Sequence, residues 1–387
     1  MNKIKKLLLY AMNIPLYWIS KLIPKNKNIW IFGAWFGDKY ADNSKYLFEY
    51  VNKNHPEIRA IWLTKADDTL GLLHSKGYET YKSTSFKGYY FSMRAYFGFV
   101  STGFNDINHF VFTEKYINLW HGNPLKKVVY DDKLTNGVNY DSLFNRLIRI
   151  IFPFIHLPED YDYILASSEE ESKNLSTAFN KKTNDILITG LPRNDVFSCD
   201  FNGQIKKIIY MPTHRNEGEM DIKKVLLKNL DELNKILSTV DIELYIKLHY
   251  YHMKDMNLEQ YSNIFLLHDD DIEQDIYSVI NKYDLLITDY SSIFFDFLLT
   301  HKPIIFAPFD YNEYLTKDRE LYYDYDDVTP GPKCKNWNEV LEWIEKFKEN
   351  PNLYSEERKK IKDKFHKYQD GKSCERVYQE IKRLLNE

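Results

Sequence analysis

The sequence predicts an α/β protein built as two domains with parallel sheets, and three observations predict it. Short apolar runs alternate with longer amphipathic stretches over nearly the whole chain, the pattern of strand–helix–strand construction. The 387 residues exceed one comfortable hydrophobic core, so about two domains are expected. A polar stretch with a glycine, Ser198–Gln204, interrupts the alternation near mid-chain and reads as an interdomain connection.

Taken in order, Ile29–Phe32 (IWIF) reads as a strand, and Asp42 or Asn43 as the cap of a helix running through Lys45–Lys53. Ile58–Leu63, Ala95–Val100, Tyr116–Trp120, Tyr163–Ala166 and Asp185–Ile188 read as the remaining strands of the first half. In the second half Lys207–Tyr210, Glu243–Leu248, Asn263–Leu266, Asp284–Thr288 and Pro303–Phe306 read as strands, separated by helical patterns at Ile222–Ser238 and Ile272–Asn281. Glu356–Lys367 and Ser373–Leu385 close the chain as helices. In such sheets ligands gather where strands end and helices begin, so functional residues are expected at strand ends and in a cleft between the domains.

Hydrophobic residues at 44% and charged residues at 28% exclude a disordered chain. Lys+Arg total 52 against Asp+Glu 56, a net charge of −4 that gives no whole-protein case for a nucleic-acid partner. Cys199, Cys334 and Cys374 lie far apart with no CxxC pair, which argues against a disulfide framework or zinc finger and fits the reducing cytoplasm.

At the amino terminus Lys3, Lys5 and Lys6 precede an apolar stretch, Leu7–Ile23, broken by Asn13, Pro15, Ser20 and Lys21. It is shorter and more interrupted than a spanning helix of about 20 apolar residues, and Ile23-Pro24-Lys25-Asn26 offers no signal-peptide cleavage site. At helical spacing Leu7, Ala11, Ile14, Trp18 and Leu22 share one face, and Lys6, Asn13 and Ser20 another, with Lys25 and Lys27 following. This pattern suits a helix lying in the interface of an anionic membrane. The alternatives are a helix packed on the protein's own core and a single-pass anchor.

Four constellations at strand ends carry chemistry. In Asn118–Lys127 a strand delivers His121, Gly122 permits close backbone approach, and Lys126 and Lys127 follow Pro124. A histidine there can take a proton from a hydroxyl, since its ordinary pKa is about 6.5; a ring that only hydrogen-bonds backbone fits equally. In Tyr210–Arg215 the Thr213 hydroxyl and the forked Arg215 cation suit a phosphate oxygen, against a solvated loop with Arg215 paired to Glu217 or Glu219. In Ile246–His252, His249 ends a strand beside Lys247 and two tyrosines, able to donate to a bridging phosphate oxygen or to sit in an aromatic cluster. The longest is Asp284–Phe297, an apolar strand running through Asp289 into Ser291-Ser292 and an apolar helix carrying Asp296. Hydroxyls and free N–H groups at a helix start form an anion site, while N-capping accounts for one of the two serines. No metal site emerges: the Asp269–Asp271 run reads as a solvated turn, and neither a GxxxxGK[ST] loop nor a GxGxxG after a strand is present.

WHGNPLKK (120–127), GLPRND (190–195), YMPTHR (210–215), KLHY (247–250) and DLLITDYSSIFFDFLLTHKPIIF (284–306) together resemble the CDP-glycerol:glycerophosphate glycerophosphotransferase family. These enzymes prime or polymerise teichoic acids and related capsule polymers. The order continues through Asp310–Tyr314, Arg319-Glu320, Pro330–Pro332 and Asp370–Ser373, so the resemblance covers roughly residues 28–380. His214 stands where an aromatic is expected and Asn123 where threonine is.

The resemblance implies a GT-B architecture of two facing Rossmann-like domains, the second holding the nucleotide, with a C-terminal helix crossing back. It implies an amphipathic membrane helix over residues 1–25, an acceptor-side domain over 26–197, a donor domain over 198–366 and the returning helix over 367–387. It further implies transfer with no metal or cofactor, and monotopic attachment at the cytoplasmic face of the membrane. Residue by residue, His121 becomes the base that activates the acceptor hydroxyl and His249 the phosphate-side acid or stabiliser. Thr213, Arg215, Ser291, Ser292 and Arg319 become donor-phosphate contacts, with Asp289 and Asp296 beside them; Gly122, Lys126, Arg193 and Asn194 become acceptor-side or supporting residues. The hydroxyl of a lipid-linked saccharide or glycerophosphate polymer attacks the β-phosphorus of CDP-glycerol, and CMP leaves. The single catalytic unit favours a primase over a long-chain polymerase. The competing expectations are a CDP-ribitol or other polyol-phosphate transferase, a GT-B glycosyltransferase of surface polysaccharide, and a catalytically idle scaffold.

Overall fold

The computed structural model describes residues 3–133, 143–198, 201–213, 215, 221–248, 256–273, 275–311, 314 and 320–386. In chain order the elements are α1 (Lys3–Leu22), β1 (Asn26–Phe32), α2 (Asp42–Asn54), β2 (Arg59–Thr64), α3 (Asp67–Ser75), β3 (Thr80–Lys82), α4 (Phe86–Arg94), β4 (Ala95–Val100), β5 (Lys115–Asn118), α5 (Leu143–Ile151), β6 (Tyr163–Ala166), α6 (Glu169–Ala178) and β7 (Ile186–Ile188). They continue with β8 (Lys207–Met211), α7 (Ile222–Leu227), α8 (Leu230–Thr239), β9 (Glu243–Ile246), β10 (Ile264–Leu266), β11 (Leu285–Thr288), α9 (Ile293–Phe297), β12 (Ile304–Phe306), α10 (Tyr325–Val328), α11 (Trp337–Glu349), α12 (Ser355–Phe365) and α13 (Ser373–Leu384). The chain divides into two compact units, the first of Met1–His121, Val129–Asp195 and Asp370–Glu387, the second of Gly122–Val128 and Val196–Gln369.

The first unit is a parallel sheet in the order β3-β2-β1-β4-β5-β6-β7. Its inner strands are continuous apolar runs because a parallel sheet is covered on both faces. Trp30, Phe32, Phe97 and Phe99 of β1 and β4 are buried, with Phe32 stacked on Phe99 at 4.6 Å. α13 completes this core with Val377, Tyr378 and Ile381. Its first turn is held by Asp195, whose carboxylate accepts the N–H groups of Ser373 (2.7 Å) and Cys374 (2.8 Å), satisfying two donors that a helix start leaves free.

α1 packs on this unit with its polar side inward. Asn13, Tyr17 and Ser20 are buried, while Leu7, Leu8, Met12, Trp18, Ile19 and Leu22 are exposed. Asn13 accepts a bond from the Tyr89 hydroxyl (3.0 Å), and the Ser20 hydroxyl donates to the carbonyl of Val111. Among the described residues no helix is long and apolar enough to cross a membrane.

The second unit is a parallel sheet in the order β10-β9-β8-β11-β12. α8 buries Leu230, Leu233 and Leu237, and α11 buries Trp337, Val340, Leu341, Ile344 and Phe347. The helical pattern at Ile222–Ser238 is two helices, because the Asn229 side chain donates to the Val225 carbonyl (2.7 Å) and ends α7. Ile272–Asn281 is not a continuous helix but a series of 3₁₀ turns. There the Ser278 hydroxyl bonds the carbonyls of Ile272 and Asp275 and Glu273 is left-handed (φ 48°), so local side-chain bonds displace the helical ladder. β5 stops at Asn118 instead of reaching Trp120, because Trp120 turns left-handed (φ 57°) and its N–H bonds the Asn118 side chain (2.9 Å). Cys334 and Cys374 are buried free thiols, and Cys199 lies outside the described residues.

Candidate functional site

In the first unit the C-terminal ends of β1, β4 and β5 are neighbours in the sheet, and His121 follows β5. A polar scaffold fixes its loop. The Asn43 side-chain amide, in the first turn of α2, donates to the carbonyls of Leu119 (3.1 Å) and Trp120 (2.8 Å). The Asn43 carbonyl oxygen accepts the Arg193 N–H (3.0 Å), and the Arg193 guanidinium bonds Asp42 at 2.8 Å, both side chains buried. Arg193 therefore ties the Pro192–Val196 turn to α2, which holds the histidine loop. Asn194 is buried beside it, and its side-chain oxygen has no hydrogen-bond partner among the described residues.

His121 Nδ1 lies 3.1 Å from the carbonyl oxygen of Ser101 at the end of β4. A carbonyl only accepts, so Nδ1 carries the hydrogen and Nε2 presents its lone pair. Burial lowers the imidazole pKa below its ordinary value, against an opposing pull from Asp42, which keeps the ring neutral at pH 7. The indole of Trp120 packs on the imidazole with ring centres 4.0 Å apart. Gly122 takes φ 116°, an angle open to glycine, and the chain passes there into the second unit. In that unit residues 125–127 pair with 320–322, and the Lys126 ammonium lies 5.1 Å from the Tyr314 ring centre.

In the second unit the ends of β8, β11 and β12 converge on Arg215. Its guanidinium donates to Asp310 (2.8 and 3.0 Å), to Asp289 (2.8 Å) and to the Thr213 carbonyl (2.9 Å). Four of the five N–H groups of the fork are thereby engaged within the protein. The cation lies 5.1 Å from the ring centre of Tyr290 and 4.6 Å from that of Tyr314, which stack on each other at 3.9 Å. Asp289 receives the N–H groups of Thr213 (2.8 Å) and Tyr290 (2.6 Å) as well as Arg215.

Thr213 is thus clamped through its backbone, and its hydroxyl oxygen is buried without a partner among the described residues. Ser291 and Ser292 are half-buried. Ser292 occupies the cap position of α9 but makes no capping bond, so the capping account fails for it. Asp296 is fully buried in α9 and accepts the Tyr277 hydroxyl (2.6 Å). His249, Arg319 and His214 lie outside the described residues. The structure adds Asp42 and Asn43, expected only as a helix cap but lying inside the first turn of α2, and Tyr290 and Asp310, which carry no site role in the sequence alone. Tyr290 and Asp310 lie inside the Asp284–Phe297 and Asp310–Tyr314 motifs, which pointed to their neighbourhood and not to their roles.

The arrangement offers a neutral, oriented imidazole in one unit and, in the other, a strand-end floor with the Thr213 hydroxyl after β8, unpartnered among the described residues, and two serines after β11. The family model described as CDP-glycerol:poly(glycerophosphate) glycerophosphotransferase matches residues 16–383. The chain is 27% identical to a teichoic acid glycerol-phosphate transferase of Staphylococcus aureus (strain NCTC 8325 / PS 47), covering 98% of this chain and 99% of the relative. It is 26% identical to a teichoic acid poly(glycerol phosphate) polymerase of Bacillus subtilis (strain 168), covering 94% of this chain and half of that relative's length. Among solved structures, the wall teichoic acid polymerase TagF superposes with a TM-score of 0.77 at 24% identity, over 99% of this chain and 98% of that one, which establishes the likeness of fold.

Proposed function

The chain belongs to the CDP-glycerol:poly(glycerophosphate) glycerophosphotransferase family, and from that premise we propose that it is a primase-like enzyme of teichoic acid or capsule polymer synthesis. In this reading it moves glycerol phosphate from CDP-glycerol to a hydroxyl of a membrane-linked acceptor and releases CMP. The observation that carries it is the His121 imidazole, held by the Ser101 carbonyl in the tautomer that leaves Nε2 free to accept a proton.

In the proposed step Nε2 of His121 takes the acceptor hydroxyl proton as its oxygen bonds the β-phosphorus in line. The bond from that phosphorus to the bridging oxygen breaks, and CMP carries away the electron pair. His249 donates to or stabilises the bridging oxygen. The Thr213 hydroxyl, Ser291, Ser292 and Arg319 hold the donor phosphates. Arg215 and Asp289 act one step back, positioning Thr213, since both are spent on protein partners. Asp296 braces α9, while Arg193, Asn194 and Gly122 support the histidine loop. The proposal takes with it the GT-B architecture that the family resemblance implies.

We also propose peripheral attachment to an anionic membrane at its cytoplasmic face. An exposed apolar stripe on α1, with Asn13 and Ser20 turned inward and Lys21 left at the surface, is the reverse of what water favours and suits an interfacial helix. α5, in the same unit, adds exposed Leu147, Ile150 and Ile151. The α1 residue Tyr10 packs edge-on against Phe152 and Phe154 just beyond α5 (5.5 and 5.4 Å), so α1 and the end of α5 are neighbours.

The deciding assay is CMP release from CDP-glycerol with a synthetic lipid-linked disaccharide, run beside CDP-ribitol and a UDP-sugar, with product masses. Acceptor-dependent CMP with the mass gain of one or a few glycerol phosphates is expected. CMP only from CDP-ribitol would change the donor, and UDP release with a sugar mass gain would overturn the reaction class.

A further inference from the structure

Strain is concentrated around the histidine loop. Of the ten non-glycine residues with positive φ among those described, Trp35, Phe36, Asp42 and Trp120 lie in the loops after β1 and β5 or in the first turn of α2. Backbone strain of this kind persists only where the surroundings over-determine it, and it gathers at functional sites. Trp35 (φ 50°) and Phe36 (φ 59°) are consecutive bulky aromatics in a conformation that glycine ordinarily supplies.

The surrounding bonds show how firmly the turn is held. The Phe36 N–H donates to Asp106 Oδ1 (2.7 Å), and the Lys65 ammonium donates to the carbonyls of Phe36 and Asn105. The Lys65 N–H and the Thr64 hydroxyl both donate to the Gly37 carbonyl. Yet the side chains so constrained add little to the core, since Trp35 is 41% and Phe36 53% exposed. A strained turn that keeps two large apolar rings in water serves neither folding nor solubility.

The same turn is wired to the candidate base. Asp106 Oδ2 accepts the N–H of Ser101 (2.8 Å), and the Ser101 carbonyl accepts from His121 Nδ1. One buried carboxylate thus fixes the position of the aromatic pair and of the carbonyl that orients the imidazole.

We propose that Trp35 and Phe36 form a stacking platform for a sugar ring of the acceptor, placing its hydroxyl for His121. The proposal rests on the transferase reading and deepens it by naming the acceptor class. A pyranose offers a face of C–H groups that lies flat on an aromatic ring while its hydroxyls stay hydrated at the edge. A glycerol-phosphate chain has no such face, so the platform selects a saccharide acceptor.

The test uses the full chain with substitutions chosen to respect the left-handed turn. Trp35→Gly and Phe36→Asn remove a ring while keeping residue types that accept positive φ; Trp35→Phe and Phe36→Tyr keep an aromatic. Removing either ring is expected to raise KM for the lipid-linked disaccharide at least about tenfold with kcat little changed. The aromatic replacements should restore it, and the affinity for CDP-glycerol by calorimetry should not move. Without donor, the disaccharide acceptor should change tryptophan emission of the wild type and not of Trp35→Gly. Unchanged KM in both ring-removing variants overturns the platform. So does an equal rise for a glycerol-phosphate trimer acceptor, or a loss confined to CDP-glycerol affinity, which would assign the rings to the nucleotide base. A wild type that shows the emission change but makes no CMP from CDP-glycerol would leave the platform standing and remove the transferase reading.

Discussion

At His121 the sign of the pKa shift decides the pH behaviour. Burial lowers the imidazole pKa below 6.5, so the ring is neutral and able to act as a base through neutral pH, and protonates only on acidification. kcat/KM should therefore fall on the acid side with a midpoint below 6.5, and His121→Ala should cut turnover at least about 100-fold in a protein that still folds. An acid limb centred above pH 7, or near-normal turnover in the variant, would remove His121 as the base. Thr213 and Arg215 separate contact from support. Thr213→Val removes an oxygen with no partner among the described residues, so stability should hold while KM for CDP-glycerol rises about tenfold. Arg215→Lys leaves two buried carboxylates without their fork, and unfolding free energy should drop by about 3–5 kcal/mol. If Arg215→Lys melts like the wild type but binds donor weakly, the arginine touches phosphate after all. The sequence could not make this distinction: Arg215 and Asp310 are 95 residues apart, and no local spacing reveals that a cation in a phosphate-like motif is already spent on distant carboxylates.

Among the elements, strands were the most legible, because parallel strands buried on both faces declare themselves as apolar runs whatever packs against them. The Ile272–Asn281 helix was not, since Asp275 and Ser278 offer the backbone competing bonds that periodicity ignores. The turn at Trp35 and Phe36 was invisible for a similar reason: residue type gives no sign of positive φ in an aromatic. α1 was half legible. Its amphipathic pattern is plain in the sequence, but which face meets the protein is a tertiary fact, and here Asn13 and Ser20 face in. Replacing Met12, Trp18 and Leu22 together with serine takes away mainly exposed apolar area, along with the edge contact of Trp18 on Tyr17. The melting temperature should stay within about 2 °C, while flotation with anionic vesicles should be lost. Retained flotation would shift the attachment to α5 or to a basic surface patch.

Across the whole molecule, chain order and unit membership do not coincide. The first unit is assembled from three segments, and its last, Asp370–Glu387, arrives only after the second unit has been completed. The interleaving has an energetic consequence. α13 contributes Cys374, Val377, Tyr378 and Ile381 to the core that holds Trp30, Phe48 and Phe99. Tyr378 also stacks on His55 at 3.4 Å, and its hydroxyl bonds Glu57 (2.8 Å). Ile381→Ala should cost about 2–5 kcal/mol, the range for a cavity in a close-packed core. Removing residues 370–387 should strip amide-exchange protection from β1–β7 while β8–β12 keep theirs, although the cut is made next to the second unit in sequence. CDP-glycerol should still bind the truncated chain, since the proposed donor residues all belong to Val196–Gln369, whereas transfer should be lost with the disordered His121 loop. Loss of protection in β8–β12 ahead of β1–β7 would mean that α13 supports the second unit instead, and would remove the proposed division of labour between a unit that orients the acceptor and a unit that holds the donor.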